Sequence, residues 1–432
     1  MGHTRKSAVV NDLDFGLSFL LAQTGSSLVT VFWYTLIFDV PRYLVPFVIA
    51  AMSLRHMEKD NGTRCNSQSP SVSIVLIGHN EADSIGACVN SLMEQSFLDF
   101  EIVIVSDGST DGMNKVAREM VRKGLGSCIL STGVRGGKAS GTNLACEIAR
   151  GDIIINIDCD CSFDRFAIER LLEPFADGRV GAACGDIAPR NADVSLVSQF
   201  QEIEYLESIS VGKRFSAAIG QITCASGAFS AFRRTALDEV GGLDVGGGED
   251  LDVTLRLRRA GWRIGYVPNA VCYTDVPTTF YAYIRQRLRW ERDAVWIRFR
   301  KHRRLLNPFD RNFRPAEAFH QWDFLAFSVA GAVIFPIYIS WLAINFGALA
   351  IPVLIAMQIA LLVLDVLMLA LACWTTGRAS FWRNLLFVPG YSIFMSYGMR
   401  LVRLLAYIDE WFFRGSHRDN YTPEKVRHER AW

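Results

Sequence analysis

Four short groups of residues in this chain carry side chains that could do chemistry together. Ser106-Asp107-Gly108-Ser109-Thr110-Asp111-Gly112 sets an acid beside a tight glycine turn. A carboxylate there can accept hydrogen bonds from a nucleobase or a ribose; the same letters also describe a turn before a helix, with Asp111 near its cap. Asp158-Cys159-Asp160 holds two carboxylates one residue apart. Buried and unpaired, they would repel each other; a hard divalent cation, Mg2+ or Mn2+, relieves that repulsion by taking oxygen from both. A solvated pair at a strand end is the alternative, and Cys159 and Cys161 on either side of Asp160 speak against so open a loop.

Gly246-Gly247-Gly248-Glu249-Asp250 delivers acids into what reads as the first turn of a helix closed by Gly261. Asp250 is then placed either to act as a base or simply to sit where the helix dipole favours an acid. Leu251, Val253, Leu255 and Leu257 recur with period two, a strand signal, but length and capping predict a helix. In Gln286-Arg287-Leu288-Arg289-Trp290, residues 286, 289 and 290 share one helix face. An amide, a guanidinium and an indole side by side form a platform for a sugar ring and a diphosphate, or else an anchor at a membrane interface. Arg135-Gly136-Gly137-Lys138-Ala139 has the wrong spacing for a Walker loop and lacks its hydroxyl, though Lys138 can meet a phosphate as a point charge.

The elements that must position these groups are legible in outline. Residues 72–77, 101–105 and 152–157 read as strands, with helices over 83–95 and 114–123 between them. That alternation predicts an α/β domain with a mostly parallel sheet, whose ligands bind at the carboxyl ends of the strands. The acids at 107 and 158 fall there.

Half of the 432 residues are hydrophobic, and they concentrate at 13–54 and beyond 322. Residues 13–38 are long enough to cross a bilayer, which takes roughly 20 apolar residues, and read as a retained anchor rather than a signal peptide. Asp39-Val40-Pro41-Arg42 interrupts the run, leaving either one tilted helix or a tight hairpin. Arg55, His56 and Lys59 mark a cytoplasmic exit, followed by a polar linker over 60–71. From 280 to 304, basic and aromatic residues alternate as in a helix lying on a membrane surface, basic side toward headgroups. Segments 322–346 and 349–374 follow as apolar crossings; 385–408 is broken by Pro389-Gly390 and carries Arg400 and Arg403. The expected order is an anchor over 1–54, a cytoplasmic catalytic domain over 55–279, an interface segment over 280–312, membrane segments over 313–412 and a polar tail over 413–432. A net charge of +1 gives no electrostatic case for nucleic acid. Ten cysteines without Cys-x-x-Cys spacing or a histidine cluster predict reduced thiols.

Taken in order, these motifs resemble those of the membrane-embedded, processive family 2 glycosyltransferases, the group of cellulose, hyaluronan, poly-N-acetylglucosamine and chitin-oligosaccharide synthases. The resemblance covers about residues 72–290 and rests on the set, since each motif alone is weak. It implies a GT-A-type domain flanked by transmembrane helices. Asn80 and Glu81 would lie at the nucleoside, and Asp107 would read uracil. Asp158 and Asp160 would hold the metal, Asp250 beside Glu249 would be the general base, and Gln286, Arg289 and Trp290 would hold the acceptor end and the diphosphate. Ser226-Gly227-Ala228 resembles the segment near the acceptor. His79 stands where a tyrosine is common, and the gating loop and cyclic-dinucleotide domain of the cellulose synthases are not recognisable.

The implied reaction is an inverting, metal-dependent transfer from a UDP-sugar to the non-reducing end of a β-linked saccharide at a bacterial inner or plasma membrane. Its partners would be the donor, the saccharide acceptor, the bilayer and accessory export subunits. The nearest competing reading is transfer of one sugar to a lipid carrier. A transporter with a cytosolic domain is the other, which the lack of paired, inverted segments disfavours.

Overall fold

The computed structural model describes residues 18, 19, 21–57, 70–244, 246–310, 313–379 and 381–418, with the backbone alone at 53–57. Residues 60–69 of the polar linker, and the tail beyond 418, lie outside the described residues.

The central domain is an eight-stranded sheet in the order β3-β2-β1-β4-β7-β6-β8-β5. Its strands are β1 Val72–Gly78, β2 Phe100–Asp107, β3 Cys128–Thr132, β4 Ile153–Asp158, β5 Ser162–Phe163, β6 Val180–Pro189, β7 Phe229–Arg233 and β8 Arg263–Thr274. Strands β3, β2, β1 and β4 run parallel. β7 is antiparallel to both β4 and β6, and β6 pairs parallel with β8. The GT-A-type fold read from the sequence is present, with the sheet mixed in its second half.

From Ile74 to Ile77, β1 reads as an apolar run because both faces of the sheet are covered. Ile74, Leu76, Ile102, Ile104, Ile155 and Ile157 pack on one side with the helices Ile85–Met93 and Met113–Arg122. Val75, Ile77, Val103, Val105 and Ile154 pack on the other with Lys138–Ile148 and Glu249–Ala260. The register sets Ile77 beside Asp158 and Gly78 beside Ser106, so the ends of three parallel strands form one edge. Because β7 runs against β4, it starts where β4 stops. Residues 226–228 therefore arrive at that same edge, with the Asp158 N–H on the Ala228 carbonyl.

Among the described residues, two helical stretches are long and apolar enough to cross a membrane, Gly25–Met52 and Pro315–Thr376. The first settles the alternatives left at Asp39–Arg42. It is one helical path through a π-helical turn at Thr35–Asp39, with a kink at Phe32. Asp39 does not end the span; it is buried and paired with the buried Arg400. The second stretch divides at Gly347, whose φ of +52° ends the helix Gly331–Phe346 before Ala350–Thr376 begins. Ile351, Ile355, Ile359, Val363 and Leu367 recur every four residues along that last helix and are all exposed. Such a stripe marks a surface for lipid or for a protein partner. Reciprocal hydrogen bonds tie the two stretches together: Tyr34 Oη to the Gly331 carbonyl (2.7 Å) and Tyr338 Oη to that of Val31 (2.8 Å).

Residues 385–408 are helical in pieces, Val388–Ile393 and then Met399–Phe413 after a π turn. The segment expected to lie basic side toward headgroups differs from that picture. In the helix Phe280–Trp296 and the turn after it, Arg287 and Arg298 are buried, and Arg292 and Arg300 face Asp409 and Glu410 of the final helix. Several of its charges have protein partners, a role that counting charges cannot separate from headgroup contact.

Candidate active site

The carboxyl edge of the sheet gathers the acids. Asp107 is only 3% exposed and accepts from the backbone N–H of Gly136 (2.6 Å) and Gly137 (2.7 Å) and from the Thr132 hydroxyl (3.2 Å). Its carboxylate thereby organises the glycine loop that precedes Lys138. Gly108 allows this approach: its φ is +63°, and a Cβ there would strike the backbone of Val134 and Arg135. His79 Nδ1 lies 2.7 Å from the Asp107 carbonyl. Asn80, itself at φ +60°, accepts from the Thr110 N–H (2.8 Å), and the Ala82 N–H donates to Asp111 (2.8 Å). The turns after β1 and β2 are thus sewn together, with Glu81 at their rim, where burial raises its carboxyl above the usual range.

Next to them, Lys138 pairs with Asp158 and donates to the Gly227 carbonyl (2.7 Å). Asp160, two residues on, takes a hydrogen bond from Thr274 (3.2 Å). Burial, and then the charge of Asp158, push the Asp160 carboxyl up, which is the repulsion expected of this pair. Among the described residues no three His, Cys, Asp or Glu side chains gather into a self-sufficient metal site. Two carboxylates at a strand end are a hard oxygen donor set. They fit Mg2+ or Mn2+ when the remaining ligands come from a diphosphate and water. The described cysteines are not joined by disulfides.

The helix Glu249–Ala260 enters from the other side, capped by Gly261 as its sequence predicts. Asp250 accepts from the Gly227 N–H (3.1 Å) and the Leu251 N–H (2.8 Å). A Cβ built on Gly227 would lie 3.1 Å from Lys138 Nζ, 3.5 Å from Asp250 Oδ2 and 3.6 Å from Glu249 Oε1. One ammonium and two acids therefore converge on a single glycine. The loop before the helix needs glycine too, since a side chain at Gly247 would run into the Asp293 carboxylate and Gly248 has φ +71°. This contact docks the helix Phe280–Trp296 against the acid-bearing loop.

Burial, then the neighbouring Asp250, push the Glu249 carboxyl up to about 7. A folded-state value above the unfolded one means that Glu249 stabilises fully below about pH 4.3, the unfolded value, and that this stabilisation is lost as pH rises through about 7. We expect the thermal midpoint of the wild type to fall relative to Glu249→Gln between about pH 5 and pH 8. Parallel midpoint curves for the two proteins would refute that reading of Glu249.

Asp252 lies two residues beyond Asp250, on another face of the helix, with partners of its own. It is 2% exposed and holds His302 (2.7 Å), Lys301 (2.8 Å) and Arg256 (2.8 Å). Burial opposes its ionisation, yet these three partners keep the carboxyl well below the usual range.

On the helix Phe280–Trp296, Trp290 is 40% exposed, and Gln286 and Arg289 share its face. The residue that sequence reasoning passed over is Arg287. It is buried, stacks on Trp290 (4.2 Å to the ring centre) and Tyr283 (4.5 Å), and is paired with Glu204. An arginine four residues after one aromatic and three before another was the available signal.

A mixed sheet with a buried acid at the end of β2, an acid pair after β4 and a helix-borne acid facing them has the form of the GT-A glycosyltransferase fold. Residues 73–241 match the family described as Glycosyl transferase family 2, and the chain carries that domain. An N-acetylglucosaminyltransferase from Neorhizobium galegae is 31% identical over 58% of this chain and 62% of its own. A poly-beta-1,6-N-acetyl-D-glucosamine synthase from Staphylococcus epidermidis is 30% identical over 52% of this chain and 55% of its own. The chain therefore spans just over half the length of these curated relatives, and they bear out the resemblance to family 2 synthases read from the motifs. A mannosyltransferase from Pyrobaculum calidifontis, solved with GDP-Man and Mn2+, shares the fold with a TM-score of 0.58 at 19% identity. That match covers 87% of this chain and 97% of the mannosyltransferase.

Proposed function

We propose that this chain transfers a sugar, with inversion, from a UDP-sugar of the N-acetylglucosamine or glucose class to the non-reducing end of a growing β-linked saccharide. The reaction faces the cytoplasm, and the membrane segments carry the product outward. The observation behind this reading is the convergence of Lys138, Asp158, Glu249 and Asp250 around Gly227. The names of the curated relatives favour the N-acetylglucosamine class.

In this reading Asn80, Glu81 and Asp107 frame the nucleoside. Asp158 and Asp160 would hold Mg2+ or Mn2+, which when bound neutralises charge on the departing diphosphate. Lys138 and Arg289 add positive charge on the same group. The acceptor ring lies on Trp290 beside Gln286. Asp250, its Oδ2 oriented by the Gly227 N–H, takes the proton of the acceptor hydroxyl as that hydroxyl attacks from the face opposite the leaving group. One displacement gives a β linkage, with no second carboxylate needed as nucleophile.

The test uses sealed inside-out and right-side-out membrane vesicles. Each is supplied externally with UDP-N-acetylglucosamine, UDP-glucose or GDP-mannose and Mg2+ or Mn2+, and the products are sized. UDP release and a ladder of saccharides from inside-out vesicles alone is the expected result. A single sugar on a lipid would establish the lipid-carrier reaction instead. Use of externally supplied donor by right-side-out vesicles would overturn the orientation.

A further inference from the structure

The side chain that sets the orientation of the acceptor platform lies on a different element from the platform itself. The helix Leu196–Glu204 ends at Glu204, where the chain passes into a π-helical turn, Tyr205–Val211. Glu204 Oε1 accepts from Arg287 Nε (3.0 Å), and Oε2 accepts from Arg287 Nη2 (2.5 Å) and from the Tyr283 hydroxyl (3.0 Å). The remaining terminal nitrogen of that guanidinium, Nη1, donates to Gln286 Oε1 (2.7 Å). Its central carbon lies 4.5 Å from the ring centre of Tyr283 and 4.2 Å from that of Trp290. Arg287 is 3% exposed, whereas Trp290 is 40% exposed. One buried cation thus braces an exposed indole and a half-buried amide, and one carboxylate braces the cation. Tyr205, the next residue after Glu204, lies within electrostatic reach of Arg287, Glu204 and Asp160.

We infer that Glu204 is a positioning residue for acceptor binding: through Arg287 it fixes the Trp290 ring and the Gln286 amide against which a saccharide end would lie. The inference rests on the glycosyltransferase reading. Physically, a guanidinium buried without its carboxylate is strongly disfavoured. With Glu204 neutralised, Arg287 turns toward water, its stack on Trp290 is lost and Gln286 is released. Lysine at 287 keeps the charge but has neither the flat stacking surface nor the fork that serves Glu204 and Gln286 together. Most of the donor side, Asn80, Glu81, Asp107, Lys138, Asp158 and Asp160, lies outside the helix Phe280–Trp296 and is left alone.

Three variants separate this from a purely structural role: Glu204→Gln, Arg287→Lys and the charge-keeping Glu204→Asp. With a β-1,6-linked N-acetylglucosamine tetramer as acceptor, Glu204→Gln and Arg287→Lys should raise the acceptor KM about tenfold, the worth of one lost stacking and hydrogen-bonding contact. The KM for UDP-N-acetylglucosamine should stay within about twofold. Glu204→Asp should recover part of the loss. Equal changes in both KM values, no change in either, or loss of donor binding in all three variants would overturn the inference and make the pair a fold determinant. Tetramer titration of tryptophan emission, with Trp290→Phe subtracted, reads the platform without turnover. If the wild type transfers no sugar yet its Trp290 signal responds and that of Glu204→Gln does not, the donor assignment falls and the role of Glu204 stands. No response in the wild type, or equal responses, sinks the role of Glu204.

Discussion

Replacing Asp250 by asparagine should lower the rate of transfer by about 10²-fold or more, the usual worth of a positioned base, while UDP-sugar affinity stays near that of the wild type. The change preserves shape and one acceptor oxygen. The backbone contacts of Asp250, to Gly227 and Leu251, are of a kind asparagine also makes at a helix start. At most one of them is lost, at about 1 kcal/mol of stability. If Asp250 only tied these backbone groups, turnover per folded molecule would therefore scarcely move. Asp252→Asn is the informative companion because its buried carboxylate serves an arginine, a lysine and an imidazole. That variant should melt earlier and yet turn over normally once corrected for the folded fraction. Near wild-type transfer by Asp250→Asn, or an equal loss per folded molecule in Asp252→Asn, would remove Asp250 from the role of base.

Asp160→Asn should abolish turnover and, in the presence of Mn2+, weaken UDP binding, because a neutral amide is a poor ligand for a hard cation. Without Mn2+ the two proteins should bind UDP alike, since the protein contacts of Asp160 are a threonine hydroxyl and a weak thiol donor that an amide oxygen can also accept. A chelator should reduce the wild type to the level of the variant. Full transfer in chelator would end the metal assignment, and a variant that loses UDP binding equally with and without Mn2+ would point to a damaged fold.

Much of this arrangement was legible in the sequence, for definable reasons. The strands ending at Asp107 and Asp158 announce themselves because both sheet faces are covered, which makes each strand a short apolar run. The helix starting at Glu249 was legible from its flanking glycines in spite of a period-two pattern at Leu251, Val253, Leu255 and Leu257. The structure explains that conflict: residues 251–255, 257 and 258 are all buried, so apolar positions are not confined to one face and lose the helical period. The insertion of β7 antiparallel beside β4, which brings Gly227 to the acids, left no local trace. Nor did the partnership of Glu204 with Arg287, which lie 83 residues apart. Hydrophobic periodicity reports what an element packs against, but it does not identify which distant polar residue answers a given charge. Asp252 shows the same limit: its place on the helix could be counted from the sequence, while its three partners, two of them about 50 residues downstream, could not.

The buried pair of Asp39 and Arg400 has a bearing on how the chain is made. The partners lie 361 residues apart, on the first apolar stretch and on the last long helix. At about 5–20 residues per second of synthesis, the N-terminal helix must wait roughly 20–70 s for its counter-ion. During that interval the charge near Asp39 is that of Arg42, on its own helix. The buried link between the first apolar stretch and the last long helix is therefore a late event of synthesis, one that cannot form until residue 400 has been made.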